Sequence, residues 1–219
     1  MKIIVSTSER PGTTDLLEYH PDLIEVRLDL LQGDVAGIVQ EWFAATDVPL
    51  VLTLRSQQEG GLFSGTPEDW LKTVTPLLPC ASYIDIEQRF ASHARYIRSG
   101  GISIIASFHT KRMPSIQELD GIEHALREYG DIPKIVVTPS DEEDMITFFS
   151  FTLHAKKPVI TSVMGDQFRY MRPILPLFGS DWVFGHAGCA TAAGQYHIRD
   201  LREIYARLID GDGTADHNR

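Results

Sequence analysis

Eight short β-rich runs alternate with stretches of helical length along nearly the whole chain, and this regular order limits the fold more than any other feature. The runs are "KIIVST" (2–7), "LIEVRLD" (23–29), "PLVLTLR" (49–55), "SYIDIE" (82–87), "ISIIASFH" (102–109), "PKIVVTP" (133–139), "PVITSVM" (158–164) and "DWVFGHA" (181–187). Strands separated by helices are joined by crossovers, so they run parallel and both faces of their sheet are covered. Helix signals fall between the runs. Thr66, Pro67, Glu68 and Asp69 supply an N-cap, a proline at the first position and acids in the first turn. Ser140 with Glu143 has the spacing of a capping box, and Gly100 and Gly130 sit where helices should end. The first and seventh helices are short. An open doubly wound sheet should carry a glycine-rich nucleotide turn after its first strand, and "STSERPG" has neither that turn nor a Walker lysine. The expected fold is therefore α/β, a closed (β/α)8 TIM barrel in a single domain over 1–210. A polar tail, 211–219, is expected to be disordered.

Successive strand residues face opposite sides, and here the two sides differ in kind. Ile24, Val26 and Leu28 alternate with Glu25, Arg27 and Asp29; Leu50, Leu52 and Leu54 alternate with Val51, Thr53 and Arg55. Ile84 and Ile86 oppose Asp85 and Glu87, and Ile104, Ala106 and Phe108 oppose Ile105, Ser107 and His109. Taken one strand at a time, this is the pattern of an antiparallel sheet with a wet face. With helices interleaved, the apolar set packs on the helices, and the polar set points into the barrel, near the mouth where barrel enzymes place their sites. Charges there must pair with one another and with a ligand. In "DIPKIVVTPS" (131–140), Lys134 shares a face with Val136 and Thr138. A lysine at a strand's start is ordinarily a solvated end residue. The polar partners on neighbouring strands place this one inside.

Composition removes several function classes. The chain has 219 residues and a net charge of −10, the wrong sign for a nucleic-acid binder, though a few arginines can still hold an anionic small molecule. No apolar run reaches the roughly 18 residues of a membrane span, and the apolar stretch at the N-terminus is too short for a signal peptide. Two cysteines, Cys80 and Cys189, give no disulfide framework, so a cytoplasmic setting is expected.

The fragments "EVRLD" (25–29), "TLRSQQEGG" (53–61), "YIDIE" (83–87), "ASFH" (106–109), "PKIVVTP" (133–139), "SVMG" (162–165), Arg172, "FGS" (178–180), Phe184 and "AGQ" (193–195) follow in an order and spacing that resemble the type I 3-dehydroquinate dehydratases of the shikimate pathway. The resemblance implies dehydration of 3-dehydroquinate to 3-dehydroshikimate through a lysine imine, and Lys134 is the matching amine. A free amine, with a pKa of about 10.4, is protonated at neutral pH; burial and nearby arginines are expected to lower it. His109 matches the general base and acid, which removes a C2 proton and then helps the C1 hydroxyl leave; an imidazole titrates in the right range for both halves. Glu59 matches the carboxylate that orients it. By the same resemblance, Arg172 clamps the substrate carboxylate. Glu25, Arg27 and Arg55 bind ring hydroxyls and shape the charge network. Thr191 and Gln195 belong to a loop that closes over the substrate. Met164 and Phe184 are apolar walls, and Ser6 and Asp85 line the site. Glu87 fits a structural ion pair as well as a catalytic role. No metal or cofactor is implied, the partner is the small substrate, and a homodimer is possible.

Two stretches depart from the family pattern. The closing loop usually reads Ser-Ala-Pro-Gly-Gln and here reads Thr191-Ala192-Ala193-Gly194-Gln195, while "TKRM" follows His109 where an aromatic is usual. Neither removes a reacting group. Of the other histidines, His20, His93, His124, His154, His197 and His217 are expected to be solvated, and His186, after the eighth strand, is the rival base. A class I aldolase is the nearest alternative enzyme, though no phosphate-binding loop follows strands seven and eight. A non-catalytic barrel that binds a polyhydroxylated acid is the alternative from another class, and it would be expected to lack the lysine or the histidine.

Overall fold

The computed structural model describes residues 1–13 and 15–210; the expected tail 211–219 lies outside them. The strands are β1 (Lys2–Thr7), β2 (Leu23–Arg27), β3 (Leu50–Thr53), β4 (Tyr83–Glu87), β5 (Ser103–His109), β6 (Ile132–Val137), β7 (Ile160–Val163), β8 (Trp182–His186) and β9 (Tyr196–His197). All pair in parallel, in the order β7-β6-β5-β4-β3-β2-β1-β8-β9. The sheet curls until β7 and β8 approach. There Asp181 N–H donates to the Val159 carbonyl (2.8 Å), the Asp181 carboxylate accepts the Val159 N–H (2.7 Å), and the Ser180 hydroxyl accepts the Thr161 N–H (2.9 Å).

The helices are α1 (Val35–Ala45), α2 (Pro67–Val74), α3 (Ala94–Ser99), α4 (Ile116–Arg127), α5 (Glu142–His154), α6 (Met171–Ile174) and α7 (Ile198–Tyr205). The α2 start follows expectation: Thr66 and Asp69 form a reciprocal capping box ahead of Pro67. At α5 the expected cap is displaced by one residue. Asp141, not Ser140, caps the helix by accepting the Asp144 N–H (2.9 Å), while the Ser140 N–H and hydroxyl both donate to the Asp144 carboxylate (2.8 and 2.6 Å). Asp and Ser are comparable caps, and here the Ser140 hydroxyl is taken up as a donor to the Asp144 carboxylate. Gly100 caps α3 without a left-handed turn (φ −84°). Gly130 lies beyond the α4 cap, Glu128, and its need for glycine is steric: a Cβ there would stand 2.3 Å from that of Ala106 on β5. The two short helices are short as expected. A single 3-10 turn, Leu16–Tyr19, follows β1, and α6 runs directly into another, Leu175–Phe178.

Strand parity divides the core. Ile24, Val26, Leu52, Ile84, Ile86 and Ile104 face the helices and bury fully against Trp42, Trp70, Phe90 and Ile97. Ala106, Ile135, Val137 and Val163 do the same against Leu119, Leu126, Phe148 and Met171. The opposite parity fills the inside of the curl. Near the amino ends of the strands it is a plug of Ile4, Leu23, Val51, Ile105, Ile160, Trp182 and Phe184. Toward the carboxyl ends it is Glu25, Arg27, Arg55, Asp85, Glu87, Ser107 and Lys134, all buried.

Candidate active site

The carboxyl-end layer opens into a cavity of about 250 Å³. Its wall includes Glu25, Arg27, Arg55, Glu59, His109, Lys134, Met164, Arg172, Phe184, Thr191 and Gln195. Most residues picked out in the sequence thus meet in one place. Ser6 and Asp85 are the exceptions. They stand behind the wall, because alternation fixes the side of a strand a residue faces but not its depth. The Ser6 hydroxyl donates to Glu25 (2.5 Å), and Asp85 lies under Lys134.

Lys134 is an interior residue, 6% exposed, third along β6 and in register with Ser107 on β5 and Ile160 on β7. Its Nζ donates to Asp85 Oδ2 (3.1 Å), lies 3.6 Å from Glu25 Oε1, and sits 4.2 Å from the centre of the Phe184 ring. Two carboxylates and an aromatic face therefore surround one cation. Glu25 is fixed in turn by hydroxyls from both neighbouring strands, Ser6 and Thr53 (2.8 Å).

Arg55 ties the carboxylates together. Its Nη2 lies 2.8 Å from Asp85 Oδ2, and its Nη1 reaches Glu87 (3.1 Å), Glu59 (3.3 Å) and the Ser107 hydroxyl (2.9 Å). Burial alone would lower the guanidinium pKa, but Asp85, Glu59 and Glu87 outweigh it and raise it. For Asp85 the balance is the reverse: burial pushes upward, and Arg55, Lys134 and the Ser107 hydroxyl bring it below the usual carboxylate range. Glu87 accepts the Ser56 N–H (2.7 Å) and hydroxyl (2.5 Å) as well as Arg55. Asp29 accepts the Arg55 N–H (3.3 Å) and the Leu62 N–H (3.2 Å). The turn that carries Glu59 is thus stapled at both ends by buried acids.

At the end of β5, His109 Nδ1 is 2.7 Å from Glu59 Oε2, which leaves Nε2 for the cavity. Burial, followed by the fields of Arg55, Lys134, Arg27 and Arg172, pulls the imidazole well below its ordinary pKa. Burial pushes Glu59 up to about 8 against the pull of Arg55. The two groups share protons as a unit.

Across the cavity, Arg172 is pulled down to about 10 by burial, low for a guanidinium yet still charged at neutral pH. Its Nη2 donates to the Ala193 carbonyl (2.9 Å), and its buried Nε has no partner. Arg27, by contrast, is held by Asp29 through two bonds (2.9 and 2.8 Å) and reaches the Thr191 carbonyl (3.3 Å). The loop over this side is locked by Gln195, whose Oε1 accepts from the Thr191 N–H (2.9 Å) and hydroxyl (3.2 Å) and the Ala192 N–H (3.3 Å). Gly194 is left-handed (φ +75°), and a Cβ on it would stand 2.4 Å from the Gly165 carbonyl.

His186 does not line the cavity, so it cannot serve as the rival base. His93 is not solvated as expected: it stacks on Trp70 and buries an unpartnered Nε2. The network also recruits Thr53, Ser56 and Asp29, which sequence reasoning left without a role, and Ser162 stands on the cavity wall without joining the network. Parity already placed Thr53 inside; nothing marked Ser56, which follows the last residue of its run.

A curled parallel sheet sheathed in helices, with a polar cavity at its carboxyl ends, is the arrangement in which α/β enzymes place their sites. The family model for type I 3-dehydroquinase matches residues 6–211, and the chain belongs to that family. A 3-dehydroquinate dehydratase of Methanoregula boonei is 45% identical over 208 residues, 95% of this chain and 100% of its own. Another, from Methanospirillum hungatei, is 36% identical over 95% of this chain and 81% of its own. Among solved structures, the 3-dehydroquinate dehydratase of Geobacillus kaustophilus superposes with a TM-score of 0.81 at 23% identity, covering 94% of this chain and 90% of that one.

Proposed function

We propose that this chain dehydrates 3-dehydroquinate to 3-dehydroshikimate in the shikimate pathway, with Lys134 as the covalent amine and His109 as the acid and base. The Lys134 amine adds to the C3 ketone, and loss of water gives an iminium that acidifies the neighbouring C2–H. His109 Nε2 takes a C2 proton. The electron pair moves into the C1–C2 bond as the C1 hydroxyl departs, protonated by His109, as water. Hydrolysis of the iminium releases the enone and restores the amine. Asp85 and Glu25 balance the positive nitrogen before and after it becomes an iminium. Glu59 holds the imidazole by Nδ1 so that Nε2 faces the substrate. Arg172 receives the substrate carboxylate, a planar cation with an unused N–H and no salt-bridge partner among the described residues. Arg27, Gln195 and Thr191 face the ring hydroxyls, and Met164 and Phe184 exclude water.

The observation that carries this reading is the convergence of an interior amine, an imidazole–carboxylate pair and an anion-ready guanidinium on one cavity. On the same reading the sheet closes as a (β/α)8 barrel, supported by the Val159–Asp181 bonds, and residues 1–210 form one catalytic unit. The enzyme works in the cytoplasm on a small molecule, without nucleic acid, as a monomer or homodimer. The test is borohydride reduction in the presence of 3-dehydroquinate, followed by peptide mass spectrometry. An adduct on Lys134, with enone absorbance appearing in unreduced samples, is the expected result. An unmodified Lys134 in folded, turning-over enzyme would exclude the imine, and a carbon–carbon cleavage product would favour an aldolase.

A further inference from the structure

The loop joining β8 to β9 supplies Thr191, Ala192, Ala193 and Gln195 to the cavity wall, and the histidine at its far end makes two bonds in opposite directions. His197 immediately precedes α7. Its Nδ1 accepts the Arg199 N–H (3.1 Å) and so caps that helix. Its Nε2 lies 3.1 Å from the carbonyl oxygen of Ala187, the first residue after β8. An amide N–H only donates and a carbonyl only accepts, so these two partners together fix the ring as the neutral tautomer with its proton on Nε2. His197 lies in β9, where the ladder already sets Gly185 beside Tyr196 and His186 beside His197; the ring adds a side-chain bond to Ala187, the first residue of the loop. The ring is held on edge by Tyr19 (centroids 5.0 Å apart) and by His186 (5.3 Å). Neither ring bond touches the cavity, and the chemistry proposed above makes no use of them.

We propose that His197 is a positioning residue, a clasp that extends the β8–β9 ladder to the first residue of the loop and thereby sets how often the loop stands closed over the cavity. The clasp acts through the loop's backbone. The β8–β9 ladder fixes the base of the loop, and the ring extends that hold to Ala187, so the residues beyond it have less freedom to lose on ordering. A binding surface that is complete only part of the time weakens apparent affinity by that fraction, with little effect on the chemical step. The kinetic consequence rests on the dehydratase reading; the mechanical one does not.

The test uses His197→Ser and His197→Asn, which keep a short oxygen able to cap α7 but cannot span to Ala187, beside His197→Ala, which loses both bonds. For the Ser and Asn variants, the melting temperature stays near wild type. KM for 3-dehydroquinate rises roughly two- to tenfold, the worth of one hydrogen bond, and kcat stays within about twofold. Amides of residues 188–194 exchange with solvent faster by a similar factor, and amides of the strands do not. The Ala variant shows the same KM rise with an added loss of melting temperature. Wild-type KM and loop exchange in both cap-competent variants would overturn the clasp. So would a KM rise accompanied by an equal fall in kcat or by strand-wide exchange. If wild-type enzyme fails to turn over 3-dehydroquinate, the functional reading falls, while loop exchange still decides the clasp.

Discussion

The same strands build two unlike layers inside the curled sheet. At the amino ends, Ile4, Leu23, Val51, Ile105, Ile160 and the partly buried Ile132 pack with one another and with Tyr83, Trp182 and Phe184. Two to four residues further along the same face stand Ser6, Glu25, Arg27, Thr53, Arg55, Ser107 and Lys134. The lower layer stabilises by burial, at about 1.5–3 kcal/mol for each large aliphatic side chain. The upper layer gains little from its ion pairs once their desolvation is counted, since well-packed apolar replacements of such pairs are often neutral or stabilising. Its cations and anions therefore make sense as machinery held ready by the plug beneath it, and stability and activity should separate by layer.

Lys134→Met breaks that separation at its most sensitive point. The apolar chain fills the space and removes the amine, while Asp85 keeps Arg55 and its Ser107 bond. Turnover measured by enone absorbance is expected to fall by about 10⁴-fold or more, the order typical for loss of a covalent group. Glu25 keeps its two hydroxyl donors but loses its nearby cation, so the melting temperature should fall by several degrees while the protein stays folded. A variant that unfolds instead would show that the amine holds the upper layer together, which the comparison denies.

Ile105→Ala is the converse change, two residues before Ser107 on the same face of β5. Deleting a fully buried isoleucine side chain costs about 2–5 kcal/mol. Denaturant unfolding should read that loss, with kcat per folded molecule nearly unchanged. A large fall in kcat at full folding would mean that the layers are mechanically coupled.

Glu59→Gln probes the upper layer through pH. With Glu59 pushed up to about 8, its carboxyl is protonated below that pH and can donate to His109 Nδ1, the arrangement that puts the ring proton on Nε2. Base catalysis in the wild type should therefore rise with pH through about 8. Glutamine cannot titrate, and His109 on its own lies well below its ordinary pKa. In the variant the acid limb should move below pH 6.5, with a plateau lowered roughly 10²-fold by loss of the orienting charge. A limb that stays near 8 in the pH profile of kcat/KM would assign it to another group.

How much of this was legible in the sequence follows from what alternation encodes. Parity in β2, β3, β4 and β5 gave the inward set directly, since Glu25, Arg55, Asp85 and His109 all share the face that the plug residues mark. It gave no depth, so Ser6 and Asp85 were expected on the wall and stand behind it. Glu59 follows the end of its strand in a 3-10 turn, where no period operates; only family resemblance reached it. The pair of residues in β9 is too short for any pattern, and the Asp141 cap lost to Ser140 in the sequence because two candidate caps stood side by side.

The turn that carries Glu59 is where the smallest effect should be readable. Glu87 belongs by parity to the upper layer, yet it binds the Ser56 hydroxyl and N–H and makes no contact with the cavity. Its role is therefore to hold the place from which Glu59 reaches His109. Ser56→Ala removes one of these bonds and leaves the N–H staple and the Asp29 staple in place. The expected cost is about 0.5–1.5 kcal/mol in unfolding free energy. The imidazole–carboxylate pair should loosen enough to lower kcat a few-fold, with KM unchanged. On the proposed reading Glu59 acts through the imidazole, so a rise in KM without a fall in kcat would place Ser56 with the substrate instead of with the turn.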